Sequence, residues 1–359
     1  MPIRTVILGN GGRGKVYAGY IKRHPEQFEL IGVADIDGSG DFTDWRDALS
    51  KRLRAELAII ALPDRLHYAA GKLALKKGMH VLLEKPIGCS WDECRGLLAL
   101  VERTGKYLIP GYVLRHTDQY RKVKEILEAG TIGEVLSIHH LNAVSYPKTV
   151  QAFCRGQWSK TDESGPMILT KCSHDLDLIA WWLGDRKVLR VVSMGATKLF
   201  KPDNAPEGSA ETCGKNCRAG ECVFRDEGEK CVYKCGADVV NYQSTLIESE
   251  DGPLVNFELE AITARRGRFT RFFGTKGTML VDEGLVRVRE FGKDEVAYEF
   301  QAETDAHGGG DDGLMQFIYE ELSSGRNRAK EIVEETVRSH YLAFMAELSR
   351  RIHKVVCKL

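Results

Sequence analysis

Residues 3–35 read IRTVILGNGGRGKVYAGYIKRHPEQFELIGVAD. An apolar run from Ile3 to Leu8 ends in Gly9-Asn10-Gly11-Gly12-Arg13-Gly14, and a helix-like segment continues to about Arg23. A second apolar run, Phe28 to Ala34, ends in Asp35. Strand, glycine turn, helix, strand and acid is the order that a dinucleotide site requires. Gly9 permits the tight strand-to-helix turn, Gly11 lets backbone approach a pyrophosphate, and Gly14 lets helix and strand pack closely. The pyrophosphate then meets the N–H groups and positive dipole end of the helix. Asp35 follows Gly14 by 21 residues. It can accept hydrogen bonds from ribose hydroxyls, while its charge repels a 2′-phosphate. Ile36-Asp37-Gly38 carries no basic residue, so NAD is favoured over NADP.

Working outward, the alternation continues. A strand-like Glu56–Leu62 stops at Pro63, a helix follows over Arg65–Lys77, and Met79–Leu83 is again strand-like. Helix Ser90–Thr104 and strand Lys106–Pro110 complete the pattern. Alternation of this kind predicts a doubly wound parallel sheet, whose ligands bind at the C-terminal strand ends. Leu62, Pro63, His67, Glu84 and Lys85 therefore fall on the cofactor side. Near residue 118 the pattern changes to long strand-like runs: Val135–Val144, Val188–Phe200, Val239–Ser249, Leu254–Ile262 and Arg268–Gly274. These predict a large, mostly antiparallel, open-faced sheet, with helices returning at Asp312–Leu322 and Ala329–Ile352. The expected organisation is an α/β domain over 1–118 and an α+β domain over 119–359.

Composition narrows the function classes. Of 359 residues, 43% are hydrophobic and 28% charged, so a sizeable core can form. The 51 basic and 51 acidic residues cancel, which removes any charge argument for nucleic acid or an anionic membrane as partner. No apolar stretch approaches the ~20 residues of a membrane span, and no secretory signal pattern opens the chain. The expected location is the cytoplasm. Five of the ten cysteines, Cys213, Cys217, Cys222, Cys231 and Cys235, crowd a polar insertion at about 201–238. Four thiolates around a structural zinc are one reading of that cluster, and free thiols are the other.

Three stretches in order resemble the glucose–fructose oxidoreductase / inositol dehydrogenase (Gfo/Idh/MocA) family: the glycine fingerprint, Glu84-Lys85-Pro86, and Ser173-His174-Asp175-Leu176-Asp177. Gly111-Tyr112-Val113-Leu114-Arg115 and Gly130-Thr131-Ile132-Gly133-Glu134-Val135 are similar to family sequence too. The resemblance implies a Rossmann domain, a bound nicotinamide, redox chemistry on a sugar or cyclitol alcohol, and association into homodimers or homotetramers. It also implies Lys85 and His174 as the catalytic pair. Removing hydride from a secondary alcohol needs a base and a group that stabilises the developing alkoxide, and both residue types suit that work. Tyr112, Arg115, Lys171, His174, Asp177 and His307 join Lys85 as candidate substrate contacts. His307 precedes Gly308-Gly309-Gly310, after which Asp311 or Asp312 can cap a helix.

One departure stands out. Many relatives carry aspartate four residues before the histidine, where this chain has Thr170 followed by Lys171. Lys171 can bind substrate, share proton transfer, or pair with Asp175. The main expectation is an NAD-dependent dehydrogenase of a sugar, sugar acid or cyclitol. The alternatives are a glycosidase or lyase with transient oxidation, and a non-catalytic NAD or sugar sensor.

Overall fold

The computed structural model describes residues 1–50, 53–300 and 308–358. By compactness the chain divides into two units, and neither is continuous in sequence. The first takes in Met1–Glu125, Leu176–Trp182 and Phe300–Tyr341; the second takes in Ile126–Asp175, Leu183–Glu299 and Leu342–Leu359.

In the first unit, strands β1 (Ile3–Leu8), β2 (Phe28–Ala34), β3 (Leu57–Ile60), β4 (His80–Leu83) and β5 (Leu108–Pro110) form one sheet in the order β2-β1-β3-β4-β5. Every pair is parallel. Val6, Ile7, Leu8, Ile59, Ile60, Leu82 and Leu83 have no exposed surface. That is why these strands read as unbroken apolar runs: crossover helices cover both faces of a parallel sheet. The helices are α1 (Gly12–Arg23), the short α2 (Trp45–Ala48), α3 (Asp64–Lys76), α4 (Trp91–Thr104) and α5 (Asp118–Glu128). Ser90 caps α4 by accepting from the Glu93 N–H, and Gly105 ends it in the left-handed region at φ +63°.

The second unit is built on an eight-stranded sheet. It begins with β6 (Val135–Ser145), the short helices α6 (Tyr146–Thr149), α7 (Thr161–Ser164) and α8 (Met167–Thr170), and the start of α9 (Ser173–Leu183), whose residues Leu176–Trp182 belong to the first unit. Strands β7 (Val188–Ala196), β8 (Tyr242–Ser249), β9 (Leu254–Thr263), β10 (Gly267–Gly274), β11 (Gly277–Asp282), β12 (Leu285–Glu290) and β13 (Val296–Glu299) follow. Their order is β13-β12-β11-β10-β6-β9-β8-β7, with only β6·β9 parallel. Strict alternation marks one buried face: Val255, Phe257 and Leu259 are fully buried, whereas Leu254 is 52% exposed. Helices α10 (Gly310–Ser323) and α11 (Ala329–Ile352) complete the chain. The three strands β11 to β13 were not among the sequence expectations.

The cap of α10 differs from expectation. Gly309 occupies it at φ +76° without a side-chain bond. Asp311 lies inside the first turn, where its carboxylate accepts from Arg13, and Asp312 accepts from Arg23. Ion pairs with α1 hold both carboxylates.

Candidate active site

The glycine turn is shaped by close backbone approach. Gly9 sits at φ +97°, and a Cβ built there would lie 2.3 Å from the Ala61 carbonyl oxygen. A Cβ on Gly14 would lie 1.9 Å from the Gly9 carbonyl oxygen, so α1 rests directly on the turn. Gly11 and Gly12 are different: an added Cβ meets nothing within 4 Å. Gly11 caps α1 without a side-chain hydrogen bond, and the first turn holds no acidic residue. An uncapped helix end beside open space fits a diphosphate.

Asp35 closes this loop. One carboxylate oxygen accepts from the Asn10 N–H at 2.5 Å, and the other from the Asp37 N–H at 3.2 Å. The Asn10 amide donates to the Ser39 hydroxyl at 2.9 Å. Both peptide N–H groups orient the carboxylate and leave lone pairs for ribose hydroxyls. The residues at the end of β2 therefore fit an adenosine dinucleotide.

Lys85 follows β4, and side chains grip the backbone around it. Glu84, 7% exposed, accepts from Arg13 Nε at 2.6 Å, the Tyr17 hydroxyl at 2.6 Å and the Lys85 N–H at 3.3 Å. Arg13 also donates to Tyr17 and to Asp311, both at 2.7 Å. Burial opposes the Arg13 charge, yet the facing Glu84 and Asp311 carboxylates raise its pKa. Arg13 and Glu84 thus bond to each other rather than standing open towards a cofactor. His67, 1% exposed, lies 2.7 Å from the Leu62 carbonyl and 2.6 Å from the Pro86 carbonyl. It ties two cofactor-side loops together through backbone.

Tyr112 and Arg115 are also held by the chain itself. The buried Tyr112 hydroxyl lies 2.8 Å from Ser339 Oγ and 3.1 Å from His340 Nδ1. Arg115 donates to Asp177 Oδ2 and to Glu335 Oε2, each at 2.6 Å. Both side chains, expected as substrate contacts, sit where they position other groups. Asp177 is 1% exposed, and its Oδ1 has no hydrogen-bond partner among the described residues. Burial pushes its carboxyl up to about 6 against the pull of Arg115.

In the second unit, His174 lies in the first turn of α9 and is 8% exposed. Its neighbour Asp175 is fully buried and accepts from Arg268 Nε at 2.7 Å and Asn142 Nδ2 at 2.7 Å, with His140 Nε2 at 3.0 Å. Burial alone would raise the Asp175 pKa, but Arg268 and His140 drive it well below the carboxylate range. This network anchors the turn that carries His174. Arg268, His140 and Asn142 escaped the sequence reading, although His140 and Asn142 share one parity of β6 with the core residue Ile138. Polar groups at core-facing positions were the available signal. Thr170 Oγ1 bonds the Pro166 carbonyl at 3.3 Å, and Lys171 lies between α8 and α9. His307 falls outside the described residues.

The cysteine insertion corrects an expectation. Among the described residues, no group of three or more His, Cys, Asp or Glu side chains is arranged to hold a metal, so structural zinc is not supported. The segment has apolar anchors after all. Cys231 packs with Val150, Cys154, Phe200, Val232 and Tyr233, and Cys222 and Cys235 lie against that cluster. Phe200 and Phe224 meet edge-on at 5.2 Å. Cys235 Sγ donates to the Val232 carbonyl, and Arg155 donates to Cys213 Sγ. Among the described residues no cysteine forms a disulfide.

Fold and turn together define a dinucleotide-binding protein with a separate sheet unit. Residues 3–112 match the family model described as "Oxidoreductase family, NAD-binding Rossmann fold", and residues 120–280 match the "GFO/IDH/MocA C-terminal domain". The chain belongs to the Gfo/Idh/MocA oxidoreductase family. It is 32% identical over 133 residues to a 1-carboxy-3-chloro-3,4-dihydroxycyclo hexa-1,5-diene dehydrogenase of Comamonas testosteroni, covering 37% of this chain and 33% of that protein. To inositol 2-dehydrogenase of Salmonella paratyphi B it is 24% identical over 210 residues, covering 53% and 58%. The matches thus span between a third and three-fifths of those relatives' lengths. A crystal structure of an inositol dehydrogenase homologue from Azotobacter vinelandii complexed with NAD+ superposes with a TM-score of 0.76 at 15% identity. It covers 99% of this chain and 97% of that one, and it establishes the shared fold. Among the described residues no helix is long and apolar enough to cross a membrane.

Proposed function

We propose that this protein is an NAD-dependent dehydrogenase acting on a secondary alcohol of a sugar, sugar acid or cyclitol. The observation that carries the reading is the pairing, within the first unit, of an uncapped glycine-turn helix end with Lys85 pinned at the end of β4. Bound nicotinamide supplies the hydride acceptor or donor. Gly9 to Gly14 receive the diphosphate and Asp35 holds the ribose, with NADP disfavoured by that carboxylate. Lys85 hydrogen-bonds the reacting oxygen and stabilises developing negative charge on it. His174 takes the hydroxyl proton, and Asp175 fixes the turn from which it acts. Self-association into a homodimer or homotetramer is part of this reading, by analogy with the family.

The test follows absorbance of reduced nicotinamide with NAD and a panel of inositols, sugars, sugar acids and glycosides, wild type beside Lys85→Ala. Growth of NADH that the substitution abolishes supports the dehydrogenase. Thr170, standing where many relatives have aspartate, favours a second reading: elimination of a glycosidic group through transient oxidation. Substrate loss without net NADH would select it. Tight NAD binding with no turnover of any compound would select the sensor.

A further inference from the structure

We propose that His340, on α11, is a positioning residue that sets the placement of Lys85. The idea rests on Lys85 being the group proposed above to hydrogen-bond the reacting oxygen. His340 has no exposed surface, and its Nε2 accepts the Ile87 N–H at 3.0 Å, two residues beyond Lys85. A backbone N–H can only donate, so Nε2 is unprotonated and the ring proton sits on Nδ1. Nδ1 lies 3.1 Å from the Tyr112 hydroxyl and 3.2 Å from the Thr336 carbonyl. Ser339 Oγ, which bonds both the Tyr112 hydroxyl and the Thr336 carbonyl, completes the cluster. Burial first, and the nearby Lys85 charge after it, lower the His340 pKa to about 4, so the ring stays neutral around pH 7.

The geometry explains why a histidine occupies a core position. Pro86 has no N–H, so few backbone groups around Lys85 can be held. Each of three is taken by a different side chain: the Lys85 N–H by Glu84, the Pro86 carbonyl by His67, and the Ile87 N–H by His340. Glu84 comes from the strand end, His67 from α3 and His340 from α11. An apolar residue at 340 would fill the space but leave the buried Ile87 N–H without a partner. The loop would then relax, and a displacement of about 1 Å in a reacting group can cost ~100-fold in rate.

The test compares His340→Gln, whose amide oxygen can reach the Ile87 N–H, with His340→Asn, whose shorter side chain cannot. Lys85 acylation by acetic anhydride, read by mass spectrometry, reports its placement without any substrate. His340→Asn is expected to change the Lys85 acylation rate at least ~3-fold and lower kcat at least ~10-fold. NAD affinity and the substrate KM should stay within ~2-fold, and His340→Gln should restore both readouts. Wild-type acylation in His340→Asn, or equal damage in both variants, overturns the proposal. If His340→Asn does not fold, Tyr112→Phe, which removes an Nδ1 partner, is expected to shift Lys85 acylation in its place. An unchanged rate there would overturn the proposal as well. Should Lys85→Ala keep full turnover while the acylation pattern holds, the catalytic role of Lys85 fails but the positioning by His340 stands.

Discussion

Asp175 and Asp177 are two residues apart on one helix turn, yet their surroundings drive their acidities in opposite directions. Asp177 is raised to about 6, above its ordinary 3.8. A raised carboxyl favours folding when protonated, so its contribution is complete below about 3.8 and is lost as pH rises through about 6. Asp175 is lowered, so its contribution is present above 3.8 and lost as pH falls below it. Two outcomes follow. Relative to Asp177→Asn, the wild type should lose roughly 2–3 kcal/mol of unfolding free energy between pH 4 and 7. Urea titrations at several pH values check this, and parallel curves would refute it. Asp175→Asn should cost about 3–5 kcal/mol at pH 7, because it leaves the half-buried Arg268 guanidinium against an uncharged partner inside a buried network. Asp35 also acts at this scale. Asp35→Ser should weaken NAD binding about 10- to 100-fold by fluorescence titration and NADP binding far less, since it removes charged hydrogen bonds and a repulsion together.

At the scale of elements, β1, its turn and α1 use two kinds of glycine. Gly14→Ala must push a methyl group into the Gly9 carbonyl, so both thermal stability and NAD binding should fall. Gly11→Ala meets no neighbour and keeps φ −70°, so the variant should melt as wild type does. It should still lose NAD affinity at least ~10-fold, because its methyl occupies the space above the helix end. If Gly11→Ala bound NAD as the wild type does, the diphosphate assignment would fail. The glycine spacing already carried this distinction. Of the two readings of the cysteine insertion, zinc lacks support at the same scale: Phe200, Phe224 and Tyr233, scattered in sequence, gather in three dimensions and anchor the segment.

For the whole molecule, the eight-stranded sheet leaves apolar side chains on one face. Pairing of Met194 with Ser244 and of Leu246 with Val192 and Asn256 puts these residues on the face opposite the buried Val191, Ile247 and Val255. Met194 is 68% exposed, Leu246 45% and Leu254 52%. A patch of that kind on a folded chain calls for a partner. Light scattering after size exclusion should give a homo-oligomer, and Leu246→Glu should shift it towards monomer without lowering the melting temperature. A monomeric wild type would remove self-association from the functional reading.

By itself the sequence determined what depends on neighbours along the chain: the parallel sheet through its apolar runs and the dinucleotide turn through glycine spacing. Periodicity and turn chemistry are local, and they survive in a string of letters. Tertiary structure alone decided which polar side chains meet. Arg13 turns to Glu84 and Asp311, Arg115 to Asp177 and Glu335, Arg268 to Asp175, and His340 to the backbone beside Lys85. Those partners lie tens to hundreds of residues apart, and a charge or ring nitrogen seeks whatever the fold brings within about 3 Å. No sequence period encodes that choice.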